Sequence, residues 1–343
     1  MTGGGAPGTD GGATGSGLVT IEAIRAASET LRGIAVRTPL IAFGDPADRR
    51  WLKAESLQPI GAFKIRGAYV AIASLTPAER ARGVITYSSG NHAQGVARAA
   101  RLLGVSAVVV MPSDAPVIKR ERVAADGAEI VIVGTASDER QRVAEALSTE
   151  RGLSIIPPFD DDRIIAGQGT VGLEIADDLP DLACVLVPIG GGGLGSGVAT
   201  AIKALRPGAR VIGVESELAA DAQESLSRGE IVRWPAELVS RTIADGTRTQ
   251  SLGHRTFAHL RAHLDRVVTV DEAEIAGAVR LAAEQCRLVV EPSGALSLAA
   301  MAFHGHELGL IGLAGSVVAV ISGGNVDPAR YLGLLASPIP PRA

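Results

Sequence analysis

Six apolar runs constrain this chain more than any other feature of its sequence. They are VITY (Val84–Tyr87), AVVVMP (Ala107–Pro112), EIVIVG (Glu129–Gly134), LACVLVPI (Leu182–Ile189), ARVIGVE (Ala209–Glu215) and SVVAVISGG (Ser316–Gly324). Their apolar residues are consecutive, not alternating. A strand wet on one face alternates, so consecutive runs predict strands covered on both faces. Ala-rich helical patterns separate the runs: AQGVARAARLLG, a stretch reaching Asp126, another to about Arg151, and one through Leu205. Val19 to Gly33 also carries apolar residues at helical spacing. Strands alternating with helices predict an α/β fold with mostly parallel sheets. No fixed-period repeat is visible.

The core must be aliphatic, because 46 % of the chain is hydrophobic and only 3 % aromatic. A length of 343 residues suffices for two lobes. A net charge of −4 leaves no basic nucleic-acid footprint. No apolar run is long enough to span a bilayer. The opening MTGGGAPGTDGGATGSG (1–17) has neither the basic start nor the apolar stretch of a secretory signal, and reads as a disordered polar tail. ASPIPPRA (336–343) closes the chain as a second tail. Cys184 and Cys286 sit in apolar runs, so free buried thiols and a reducing cytoplasm are expected.

Four segments carry candidate chemistry. In GAFKIRGA (Gly61–Ala68), Lys64 lies between Phe63 and Ile65. Desolvation would lower its pKa and free the amine for Schiff-base chemistry. The same segment also suits a surface lysine at a helix start. In SSGNHAQGVA (Ser88–Ala97), small side chains and free N–H groups open a helix. That arrangement can bind a carboxylate, or merely cap the helix. In PIGGGGLGSG (Pro188–Gly197), four consecutive glycines precede a helix and can offer N–H groups to a phosphate. Gly190, Gly192 and Gly195 also satisfy G-x-G-x-x-G, with Glu215 near a ribose-binding position. A dinucleotide enzyme remains an alternative there, though it leaves Lys64 unexplained. In ISGGNVD (Ile321–Asp327), Ser322 ends a strand where ligands favour the sheet edge.

In this order the four motifs resemble the serine/threonine dehydratase and serine racemase family. These are fold-type II (tryptophan-synthase-β-like) pyridoxal-phosphate enzymes. The resemblance runs from about Ile21 to about Asp327 and includes IIAGQGT (Ile164–Thr170), IADGT (Ile243–Thr247) and VEPSGA (Val290–Ala295). It implies two lobes, each an open, mostly parallel sheet flanked by helices. Residues 18–75 and 162–335 would form the large cofactor-binding lobe, and 76–161 the small substrate-side lobe. It further implies pyridoxal 5'-phosphate on Lys64, with Phe63 against the ring, Asn91 at the phenolic oxygen and Ser322 at the pyridine nitrogen. Gly190, Gly191, Gly192, Gly193 and Leu194 would hold the phosphate, with Gly246 and Glu291 beside the ring. Ser88, Ser89, Asn91 and His92 would surround the carboxylate of an amino acid substrate. A homodimer is implied as well.

A serine at the pyridine nitrogen does not enforce protonation, which suits β-elimination more than transamination. The expected activity is an L-threonine/L-serine dehydratase (ammonia-lyase) with Lys64 as Cα base. Ser89 occupies the position of the racemases' opposite-face acid, so serine or aspartate-type racemisation is an alternative. Dehydration of 3-hydroxyaspartate is another. An NAD-dependent dehydrogenase and a non-catalytic ligand sensor are readings from other classes. Phe159 departs from the racemases' asparagine and looks more like the dehydratases. Gln141 replaces a racemase arginine. GVESELAAD resembles the family's Mg²⁺/Ca²⁺ site, with Glu215, the Ala219 carbonyl and Asp221 as oxygen ligands. An acidic loop after a strand is the alternative.

Overall fold

The computed structural model describes residues 17–88, 90–113, 115, 117–134 and 137–341. Among them, ten strands follow in chain order. They are β1 (Leu40–Ala42), β2 (Arg50–Ala54), β3 (Val84–Tyr87), β4 (Ala107–Pro112), β5 (Glu129–Val133), β6 (Ser154–Ile155), β7 (Leu182–Pro188), β8 (Arg210–Ser216), β9 (Arg266–Val270) and β10 (Ser316–Ile321). One sheet runs β1-β2-β10-β7-β8-β9 and the other β5-β4-β3-β6. Every pairing is parallel except β1 with β2.

The consecutive apolar runs form these strands because helices cover both faces. Every residue of β4 and of β10 is buried. Val185, Val187, Val318 and Val198 pack on one face of the larger sheet. Leu186, Val214 and Ala319 meet Met301 and Phe303 on the other. The Pro292–Phe303 helix is buried along its whole length, as its all-round apolar sequence requires. β5 departs from the expected pattern: Glu129 and Ile132 are exposed. It is an edge strand, covered less completely than its neighbours.

Backbone contacts place the helix of Lys64 against the rest of the fold. The Lys64–Ala73 helix crosses the Asp162–Asp178 helix at Gly67 and Gly167, where a Cβ on Gly167 would lie 2.6 Å from the Gly67 Cα. The Asp162–Asp178 helix then meets the Gly193–Leu205 helix at Gly169 and Gly197, where a Cβ on Gly197 would lie 2.4 Å from the Gly169 nitrogen. Only glycine permits these approaches. IIAGQGT therefore acts as a spacer that sets Lys64 against the glycine loop.

Candidate active site

The start of the Lys64 helix is joined to the end of β10. Ala62 bridges Gly323. Phe63 N donates to the Ser322 carbonyl at 3.1 Å, and Gly324 N donates to the Gly61 carbonyl at 2.9 Å. Lys64 and Ser322, far apart in sequence, thus share one edge of the sheet. Lys64 Nζ donates to the Pro158 carbonyl at 2.6 Å and lies 5.1 Å from the centre of the Phe63 ring. Neither neighbour carries a full negative charge. Burial alone pulls the amine down to about 8.

Asn91 opens the Asn91–Leu103 helix. Its Nδ2 donates to Glu291 Oε1 at 2.6 Å, and its Oδ1 accepts from Asn325 Nδ2 at 2.8 Å. Glu291 is pushed up to about 7, first by burial and then by Asp245. His92 is buried, and its Nε2–H donates to the Ile156 carbonyl at 3.0 Å. Burial and the Lys64 charge pull its imidazole down to about 3, so it is neutral. Its Nδ1 lone pair has no hydrogen bond among the described residues. Ser88 Oγ accepts from Gly90 N at 3.3 Å. Ser89 lies outside the described residues.

The glycine loop leads from β7 into the Gly193–Leu205 helix. Gly192 is left-handed at φ 91°, and among the described residues no side chain caps the helix. Its first N–H groups are therefore free for an anion. Thr256 Oγ1 donates to the Gly191 carbonyl at 2.8 Å. A Cβ on Gly191 would lie 2.2 Å from the Phe159 ring, so a side chain there would fill the cradle. Leu194 is buried in the first turn of that helix. Among the described residues, Ser322 Oγ makes only a 3.5 Å contact with the Ser293 carbonyl, which leaves its hydroxyl available. Gly246 is exposed at the site and donates its N–H to Ser293 Oγ at 2.9 Å. A desolvated amine, an uncapped glycine loop and a free hydroxyl fit a phosphate-bearing aldehyde cofactor.

Several contributors escape a reading of the sequence. Asn325 Nδ2 bonds Asn91 and also the Ile60 carbonyl at 2.8 Å, while its Oδ1 accepts from Arg122 at 2.6 Å. Asp160 Oδ1 accepts from Arg255 N and Thr256 N, setting the His254–His263 helix beside the glycine loop. Lys119 Nζ, on the Val117–Ala125 helix, reaches Asp245 at 3.1 Å. Asn325 lies inside ISGGNVD and was findable there. Pro158 acts through its backbone, and Asp160 and Thr256 act on residues remote in sequence, so nothing local marks them.

Glu215, near the end of β8, and Asp221, at the start of the Asp221–Arg228 helix, are both fully buried. Glu215 accepts from Ala222 N at 3.0 Å and Gln223 N at 2.8 Å. Neither Asp221 oxygen has a hydrogen bond among the described residues. Burial raises both carboxyls, and for Glu215 the Asp221 charge adds to it. Ala219 N donates to the Ser216 carbonyl at 2.9 Å, turning the loop between them. Two buried carboxylates with an unused oxygen pair fit a hard cation.

Residues 32–323 match the family model described as pyridoxal-phosphate dependent enzyme. The L-threonine ammonia-lyase of Thermotoga maritima is 42 % identical over 315 residues, covering 90 % of this chain and 76 % of that one. The L-threo-3-hydroxyaspartate ammonia-lyase of Saccharomyces cerevisiae is 39 % identical over 314 residues, covering 90 % and 94 %. The structure of maize serine racemase superposes with a TM-score of 0.87 at 35 % identity, covering 92 % and 97 %. Among the described residues, no helix is long and apolar enough to cross a membrane.

Proposed function

Because this chain belongs to the pyridoxal-phosphate dependent enzyme family, we propose that it is an ammonia-lyase converting L-threonine and L-serine to a 2-oxo acid and ammonia. The observation that carries the reading is Lys64: a desolvated amine near 8, on a helix joined to Ser322. Phe159, packed on the glycine loop, supports a lyase over a racemase.

Lys64 would hold the cofactor covalently through Nζ, and the N–H groups of Gly190 to Leu194 would hold its phosphate. Phe63, Gly246 and Glu291 would flank the ring, and Ser322 would meet its nitrogen. When bound, the cofactor supplies an electron sink that acidifies Cα of the amino acid. Once the substrate amine has displaced it from the cofactor, the freed Lys64 amine would take the Cα proton as general base. The Cβ–oxygen bond breaks, and the hydroxyl leaves with a proton as water. The unsaturated amine released hydrolyses to the 2-oxo acid and ammonia. Ser88, Ser89, Asn91 and His92 would surround the substrate carboxylate, with Asn91 braced between Glu291 and Asn325. His92 stays neutral, so it adds no charge against Lys64. Glu215, the Ala219 carbonyl and Asp221 would bind Mg²⁺ or Ca²⁺. The two sheets support 18–75 with 162–335 as the cofactor lobe and 76–161 as the substrate lobe. Buried free thiols support a cytoplasmic setting, and we expect a homodimer by sedimentation.

The test is a panel of L-threonine, L-serine and 3-hydroxyaspartate, assayed for 2-oxo acid and ammonia. We expect equimolar release from the first two. Lys64→Ala should lose the visible cofactor band and slow release by about 10³-fold or more. If no hydroxy amino acid releases ammonia, the lyase reading falls. Serine racemisation is the second reading, favoured by a serine at position 89. Chiral analysis of L-serine incubated with native enzyme and Ser89→Ala decides it.

A further inference from the structure

We infer that Glu272 couples the cation loop to the loop bearing Asp245 and Gly246, so that a cation bound at Glu215 and Asp221 orders one wall of the active site. The inference rests on the cation reading given above.

Ser216 follows Glu215 at the end of β8 and is fully buried. Its hydroxyl accepts the Leu218 N–H at 3.1 Å, within the turn that presents the Ala219 carbonyl. It donates to Glu272 Oε1 at 2.8 Å. The same oxygen accepts from Thr242 Oγ1 at 2.7 Å, and Oε2 accepts the Ile243 N–H at 2.5 Å. One carboxylate therefore grips both segments, through charge-assisted hydrogen bonds.

Beyond Thr242 the connections continue to the site. Thr242 Oγ1 accepts the Ala244 N–H at 3.1 Å, and Thr247 Oγ1 donates to the Ala244 carbonyl at 2.9 Å. Together they shape the Asp245–Thr247 turn. Gly246 is then held by Ser293, and Asp245 by Lys119 of the Val117–Ala125 helix.

Glu272 is not needed to cap its own helix. Asp271 caps the Glu272–Cys286 helix by accepting from Glu274 N at 2.7 Å, and Glu274 returns a bond to Asp271 N at 2.9 Å. The Glu272 carboxylate is instead committed to two loops outside the helix. Without a cation, neither Asp221 oxygen has a hydrogen-bond donor among the described residues. A cation would draw both carboxylates and the Ala219 carbonyl inward and set the position of the Ser216 hydroxyl. Coupling between sites is reciprocal, so an occupied active site tightens the cation site by the same factor.

The experiment uses holoenzyme and Mg²⁺. Calorimetry measures Mg²⁺ binding, and visible circular dichroism reports the cofactor's surroundings without turnover. In the native enzyme, saturating Mg²⁺ should change the dichroism and lower the amino acid KM by about fivefold or more. Ser216→Ala cuts only the link. It should bind Mg²⁺ within about tenfold of native, yet lose both responses. Glu272→Gln should behave likewise, and if it fails to fold, Ser216→Ala decides alone. A variant that binds Mg²⁺ and keeps the native dichroism response overturns the relay. So does loss of Mg²⁺ binding in Ser216→Ala, which would make the serine part of the cation frame. No Mg²⁺ binding to the native enzyme removes the cation reading itself, and the relay with it.

Discussion

Lys53 and Lys64 occupy adjoining segments of one lobe, and both amines are withdrawn from water. Lys53 Nζ donates to Glu174 Oε2 at 2.6 Å and to the Thr38 carbonyl at 2.7 Å. Arg66 completes that cluster, donating to Glu55 at 2.8 Å and to Glu174 at 2.7 Å. Two cations thus face two carboxylates, and the charges close on themselves. Burial works to raise Glu55, but the Arg66 charge and hydrogen bonds hold it below its ordinary value. Around Lys64 the opposing group is a carbonyl, and burial goes uncompensated. Burial with a counter-ion suits a lysine to a structural role, and burial without one suits it to act as a nucleophile and a base. Glu215 and Asp221 invert the pattern: two buried carboxylates, with no side-chain cation bonded to them among the described residues.

The largest effect is predicted in the closed cluster. Arg66→Met leaves Glu55 and Glu174 buried with Lys53 alone, and should cost about 3–5 kcal/mol in urea unfolding. A loss below about 1 kcal/mol would break the contrast, because the cluster would then not depend on its pairing. Next comes the inverted pair. Mg²⁺ at about 100 times its Kd should stabilise the native protein by about 2.7 kcal/mol in thermal unfolding. Asp221→Asn should abolish that response, and an undiminished response would move the cation elsewhere. The smallest effect concerns Lys64 itself. Below about 8 its amine is an ammonium and cannot attack; above, it is neutral. Cofactor loading of the apoprotein should therefore rise about tenfold from pH 7 to a plateau above pH 9. A rate still climbing beyond pH 10 would mean that burial leaves this amine at its ordinary value.

The strands of both sheet interiors were legible because consecutive apolar residues have only one use in a chain that alternates with helices. β2 was not, although it lies between β1 and β10. It carries Lys53, a charge that local pattern places at the surface and that Glu174 makes tolerable in the core. β6 has two residues and exists through its pairing with β3. The motifs of the site were legible for a different reason. Glycine runs and a lysine among apolar neighbours are local requirements of backbone approach and desolvation, so they survive in the order of residues.

The sequence by itself determined an α/β chain with apolar parallel strands, a phosphate-type glycine loop and an apolar setting for Lys64. Only the tertiary structure decided which buried polar and charged groups are paired. Pairing depends on groups brought together from remote segments: Glu174 to Lys53, the Pro158 carbonyl to Lys64, Asn325 to Asn91, Glu272 to Ser216. A charge's energy varies with the polar atoms within a few ångströms, and linear sequence does not record that neighbourhood.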